Sequence, residues 1–242
     1  MLNALYVFLP CIVAGVIQAT TGFGSGIFVM LFFPMFLPLL KSSALSTLVS
    51  AYACISLAWK HRKNATPKIV IMPAIFYFAA SFLAIKFATG ADMDGLKAFF
   101  GLFLIIIAIW FMFFADRVRL KPNLLTAAVC GTVSGIASGL FGIGGPPMVI
   151  YILAVVGDDK EAYIANSQFF FSMTCLYTTA LRIFNGILTV DLLPLVIPGM
   201  LGMFIGKTVG SKIVEKIDIL FMKKLIYGFL GLSGLLTFVT NI

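Results

Sequence analysis

The stretch "SGLFGIGGPPMVIY", Ser138–Tyr151, decides the fold, because it sets four glycines and two prolines inside a run otherwise apolar enough to cross a membrane. Glycine and proline are the poorest residues for a helix interior, so the spacing predicts a helix that stops near Gly142 and a second that starts at the prolines. Pro146 and Pro147 suit a first turn, where a missing N–H costs nothing. A broken helix at membrane depth leaves N–H and C=O groups unpaired, which is tolerated only where protein or a water-lined cavity satisfies them. The break therefore faces inward, away from lipid.

The surrounding chain sets the class. Of 242 residues, 61% are hydrophobic and 11% charged, and the mean hydropathy is +1.10. These values define an all-α polytopic membrane protein. Spans of about 20 apolar residues are expected near 2–21, 43–60, 66–87, 95–115, 123–140, 161–181, 189–206 and 222–241, with shorter apolar pieces at 27–40 and 147–156. The amino-terminal run lacks a basic leader and is read as the first membrane segment. The net charge of +8 could point to nucleic acid, but the Lys and Arg lie between apolar runs, where they orient a membrane protein, so no nucleic-acid partner is expected.

Slid against itself by 120 residues, the chain shows a repeat. "VAGVIQATTGFGSGIFV" at 13–29 falls over "VSGIASGLFGIGGPPMV" at 133–149, so that Gly15, Gly22 and Gly24 meet Gly135, Gly142 and Gly144. Farther on, Thr47 meets Ser167 and Arg62 meets Arg182. Residues 1–120 and 121–242 are thus read as two transmembrane repeats of one transport domain. If 2–40 and 123–156 each enter and return on one side, Lys60, Arg62, Lys63, Lys68 and the later basic loops face the cytoplasm. Only Lys41, Lys86, Lys97 and Arg182 then face outward, a division of thirteen against four. Each half becomes a Gly-broken pair plus three spans, an odd number, which makes the repeat inverted with both termini outside.

A half-helix starting at mid-membrane aims its free N–H groups and positive dipole end into the interior, where they can hold an anion without burying a full charge. Two such ends would form one central site from Gly22, Gly24, Ser25 and Gly26 on one side and Gly142, Gly144, Gly145 and Pro146 on the other. The glycines are expected to supply positive φ and close approach; tight helix packing is the competing reading. The following helices add polar stripes: Thr47, Ser50 and Cys54 on the first, Ser167, Thr174 and Thr178 on the second, with Asn166 and Gln168 as amide donors. Such residues also serve as interhelical glue. Arg182 is expected near the outer end of its helix, either drawing an anion to a pathway mouth or snorkelling.

"GLFGIGGPPMVIY" after "GTVSG", with the copy "GVIQATTGFGSG" near the amino terminus and a polar helix after each, resembles the TauE/SafE sulfite-exporter family over essentially the whole chain. The resemblance implies a transporter of the cytoplasmic membrane carrying sulfite or another small organosulfur anion. It places the family motif on Gly135, Gly139, Gly142, Gly144 and Gly145, and on Gly15, Gly22, Gly24 and Gly26. Ser25 stands where a glycine is expected, and Pro146 and Pro147 replace a third glycine after "GIGG", which leaves the substrate open.

No Asp or Glu falls deep in an expected span, so no carboxylate proton relay is visible. The four cysteines lack metal or disulfide spacing, and His61, the one histidine, lies in the basic run "KHRKN" without an acidic neighbour in sequence, so neither cofactor nor metal is expected. Two rivals remain: a passive anion channel, and a membrane-embedded enzyme with Ser25 as nucleophile, for which His61 is the sole available base.

Overall fold

A computed structural model of the protein describes residues 2–113, 122–157 and 159–213. The described residues form nine α-helices and three short 3-10 turns, with no strand among them. Helix α1 is Leu2–Thr21, α2 Ser25–Val29, α3 Leu39–His61, α4 Pro67–Gly90, α5 Met93–Phe113, α6 Leu124–Phe141, α7 Gly145–Val156, α8 Lys160–Phe184 and α9 Leu193–Ile213. Five helices among the described residues are long and apolar enough to cross a membrane, lying within Ala4–Thr21, Leu39–Asn64, Pro67–Gly90, Leu124–Phe141 and Val190–Lys212. The expected span at 222–241 lies outside the described residues.

Both breaks fall where glycine and proline put them. The short piece expected at 27–40 differs: helix α2 is five residues long, and the chain then passes through a 3-10 turn at Phe33–Met35. Pro34 and Pro38 account for this, since neither can donate to a continuing helical ladder. The second piece is a true half-helix of twelve residues with proline in its first turn.

Small residues set the helix crossings. A Cβ on Gly206 of α9 would lie 1.9 Å from the Ile12 carbonyl oxygen of α1, and one on Gly202 2.4 Å from that of Phe8. On α6, a Cβ at Gly131 would lie 2.3 Å from the Pro73 oxygen of α4, and one at Gly135 2.6 Å from that of Tyr77. Backbones meet this closely only over glycine, which is how membrane helices gain dispersion contact without a hydrophobic driving force. Gly135 and Gly139, like Gly15, are therefore packing residues: each would drive a Cβ into a neighbouring helix. Phe141 at the end of α6 meets Phe99, Phe100 and Phe103 of α5 with centroids 5.0–5.7 Å apart, which seats α5 on α6.

The helix pairings are parallel in two cases and antiparallel in a third. Helix α1 lies parallel to α9, as Phe8, Ile12 and Val16 meet Gly202, Gly206 and Gly210 in order, and α6 lies parallel to α4 in the same manner. The 120-residue register exchanges these two pairs. Helices α3 and α8, which the register relates to each other, pack antiparallel: Arg182 reaches Ser43 at one end, and His61 meets Glu161 at the other.

Candidate functional site

At the first break, α1 ends at Thr21, and Gly22 and Gly24 adopt φ of 78° and 96° before α2 begins. At the second, Gly142 adopts φ 72°, and its N–H donates to the Ser138 carbonyl at 2.8 Å, closing α6 with a left-handed cap. Positive φ is thus used at Gly22, Gly24 and Gly142. It is not used at Gly144, whose φ is −110°, nor at Gly145, which is already helical. Gly144 is required by crowding instead, because a Cβ there would lie 2.9 Å from both the Ser134 oxygen and the Ser138 Cβ. The two breaks touch: a Cβ on Gly26 would come within 3.1 Å of the Gly142 oxygen.

Between the breaks lies a cavity of about 60 Å³. The first break lines it with Gly24, Ser25 and Gly26, and the second with Gly142, Gly144 and Gly145. Helix α3 contributes Thr47, Ser50 and Cys54, and α8 contributes Thr174 and Cys175. These expected glycines, Ser25 and members of both expected polar stripes are therefore brought together. Ser25 donates its hydroxyl to Ser50 at 3.1 Å. Tyr77, Ser138 and Gln18 also line the cavity and were not singled out from sequence. Gln18 had a legible signal: an amide inside an apolar span, four residues before a glycine break, is costly unless it has partners.

The backbone groups freed by each break are satisfied differently. Arg182, 1% exposed, donates through Nη2 to the Ser138 and Gly139 carbonyls at 2.8 and 3.2 Å, and through Nη1 to the Ser43 carbonyl at 3.1 Å and to Thr47 Oγ1. It places a positive charge at the negative end of α6, where the dipole favours it. In the first half the Gly22 carbonyl accepts from Gln168 Nε2, and from Gln18 Nε2 at 3.4 Å. Gln18 Oε1 in turn accepts from the Ser25 N–H at 3.3 Å.

Several expected site residues lie elsewhere than on the cavity wall. Arg182 is buried behind Thr47, not placed at an open mouth, because three carbonyls from α3 and α6 converge on its fork. Asn166 accepts from the Thr66 N–H at 2.8 Å, satisfying the start of α4, and donates to the Ala162 carbonyl. Gln168 is turned toward Gly22. Ser167 is buried with its hydroxyl unpartnered, Thr178 donates to the Thr174 carbonyl, and Pro146 is buried in the first turn of α7. Gly22 and Pro146 flank the cavity without lining it.

His61 has an acidic partner that sequence distance concealed: its Nδ1 lies 2.9 Å from Glu161 Oε2, which also accepts from Asn64. Among the described residues no three His, Cys, Asp or Glu side chains form a group that could hold a metal ion. The thiol of Cys54 accepts from Gln18 Nε2 at 3.4 Å.

An all-helical, multi-pass bundle with two helix breaks meeting over a cavity is the architecture of a membrane transporter. The sulfite exporter TauE/SafE family matches residues 7–237, and the chain belongs to that family. It is also 30% identical over 193 residues to a probable membrane transporter protein of Methanocaldococcus jannaschii, covering 73% of this chain and 67% of that one. No solved structure matches the chain.

Proposed function

We propose that the protein carries a small anion, sulfite or a related organosulfur oxyanion, across the cytoplasmic membrane through the cavity between the two breaks. The observation that carries this reading is that cavity's lining: both breaks meet there, α7 presents its amino-terminal end to it, and the opposing helix carbonyls are already occupied by Arg182 and the two glutamines. With those carbonyls occupied, the polar groups that line the cavity among apolar neighbours such as Phe23 and Phe171 include the hydroxyls of Ser25, Thr47, Ser50 and Thr174 and the backbone at the start of α7, which suit an anion. The family supplies the sulfur oxyanion as the substrate class.

The inverted arrangement is supported by the antiparallel α3 and α8 and by the charges at their ends. Lys41 pairs with Asp191 at 2.5 Å at the end where Arg182 lies, while Lys60, Arg62 and Lys63 share the other end with Glu161. In this reading the first end faces outward and the second the cytoplasm. The reading is of a transporter and not an enzyme: Ser25 is engaged by Ser50, whereas His61 pairs with Glu161 at the far end of α3.

Calorimetric titration of the purified protein with sulfite, thiosulfate, sulfoacetate, taurine and acetate tests the substrate class. Binding of the sulfur oxyanions, with zwitterionic taurine excluded, is expected. Gly145→Ala sharpens the test, because a Cβ at Gly145 meets nothing closer than Phe23 at 3.6 Å and so narrows the cavity without a clash. We expect it to weaken sulfite binding by at least about tenfold while the protein still folds. Undiminished affinity would place the anion elsewhere. Saturable, exchangeable flux in proteoliposomes separates a carrier from a channel.

A further inference from the structure

Two hydrogen-bonded closures flank the cavity along α3, and they differ in kind. Toward the start of α3 the closure is Arg182, a guanidinium fixed to three carbonyls and the Thr47 hydroxyl. Toward the end of α3 it is a pair of neutral amides: Gln18 Nε2 donates to Gln168 Oε1 at 3.0 Å. Gln18 lines the cavity, and Gln168, fully buried, stands behind it. Beyond them the chain of polar contacts continues outward, from Tyr163 Oη on the Thr21 carbonyl at 3.1 Å, through Thr66 N–H on Asn166, to His61 on Glu161, which is exposed. Each of these contacts joins the amino-terminal half of α8 to the first half of the chain.

We propose that Gln18 and Gln168 form the gate between the cavity and the face that carries His61 and Glu161. Hydrogen bonds between neutral groups are weaker than those made by a guanidinium, so the amide closure opens more readily than the arginine closure. The bonding pattern also lets it open without stranding the Gly22 carbonyl. Gln168 Nε2 holds the Gly22 carbonyl independently of its Oε1, so releasing Gln18 leaves the first break capped. Gln18 is held by long bonds, 3.3 Å to the Ser25 N–H and 3.4 Å to Cys54 Sγ and the Gly22 carbonyl. An anion in the cavity offers its Nε2 a stronger acceptor than the Gln168 amide oxygen. Occupancy thus draws Gln18 away from Gln168 and opens the passage on that side.

The inference rests on the cavity being the transport site, and the experiment keeps the two separable. Cys54, 3% exposed and in contact with Gln18, is a natural reporter. In protein with Cys11, Cys130 and Cys175 replaced by alanine, the rate at which impermeant, cationic 2-(trimethylammonium)ethyl methanethiosulfonate modifies Cys54 is measured in vesicles of each orientation. Gln18→Met and Gln168→Met keep the side-chain length and remove the amide bond. Each is expected to speed modification by at least about fivefold, the population gained when one neutral hydrogen bond leaves the closed state. The gain should appear only from the His61 and Glu161 face, and the double variant should fall short of the product of the two single gains, because both remove the Gln18–Gln168 bond. Unchanged rates in the variants that fold, or equal acceleration from both faces, would overturn the gate. Sulfite titration of the same proteins tests the anion reading separately, since the labelling requires no bound anion.

Discussion

The two breaks lie 120 residues apart in sequence and solve the same problem with different chemistry. Each must satisfy the carbonyls at the end of one helix and present the start of another, in surroundings where water does not do so. The second break does it with charge and rigidity: Arg182 binds the carbonyls of α6, and Pro146 and Pro147 start a twelve-residue helix. The first does it with neutral amides, Gln18 and Gln168, ahead of a helix of five residues. The difference extends to the arginines the register relates. Arg62 stacks on exposed Trp59 at 4.2 Å, whereas Arg182 is buried. Glycine fixes where the backbone breaks, and the side chains around each break decide how firmly it is held.

The largest effect that can test this contrast is at the arginines. Arg182→Met would leave the Ser43, Ser138 and Gly139 carbonyls without their buried donor, and bonds to a charged group contribute about 1.5–3 kcal/mol each. We expect a loss of at least about 3 kcal/mol in Arg182→Met, against no more than about 0.5 kcal/mol in Arg62→Met at the surface. Thermal unfolding of the two variants in one detergent measures both. Arg182→Lys should not restore stability, because an ammonium cannot span carbonyls on α3 and α6 with a fixed fork. Equal melting temperatures for Arg182→Met and Arg62→Met would remove the asymmetry from the fold.

Positions that depend on local backbone chemistry were legible in the sequence. Gly22, Gly24 and Gly142 had to be breaks because positive φ in this setting is open to glycine at little cost, and the prolines marked the start of α7. The stripe of Thr47, Ser50 and Cys54 was legible from helical spacing alone, and all three reach the cavity. Positions that depend on which distant helix comes alongside were not legible. Arg182 is followed by "IFNG", which reads as a helix end at a surface, and only the approach of α3 and α6 buries it. Asn166 has the chemistry of an anion ligand, but the start of α4 claims it. His61 gains its acidic partner from a residue 100 positions away.

The next effect in size sets the two left-handed glycines side by side. Gly22→Ala and Gly142→Ala both force a side chain into positive φ, a strain of about 1–2 kcal/mol. Their surroundings differ. The added Cβ at Gly22 would meet the edge of the Tyr163 ring at 3.2 Å, which can swing aside, while at Gly142 it would meet the Ser43 carbonyl at 3.0 Å, which belongs to α3 and cannot. Gly142→Ala is therefore expected to lower the melting temperature further than Gly22→Ala. The reverse order would show that the second break is the more yielding one.

The smallest effect concerns the one residue of the first motif that departs from glycine. Ser25 occupies the position that Gly145 holds in the second half, and its hydroxyl adds a bond to Ser50 across the α2–α3 contact at 3.1 Å. A single neutral hydrogen bond contributes about 1 kcal/mol, so Ser25→Ala should lower stability by about that amount, and Ser50→Ala similarly. If the bond itself is what the two hydroxyls share, the double variant will lose less than the sum of the single losses. The same pair lines the cavity, which gives a second readout: loss of sulfite affinity in Ser25→Ala, beyond the change in Ser50→Ala, would assign the hydroxyl to the anion as well as to Ser50. Additive stability losses with unchanged affinity would instead mean that Ser25 and Ser50 act separately, and that the first break gains nothing from carrying serine where the second carries glycine.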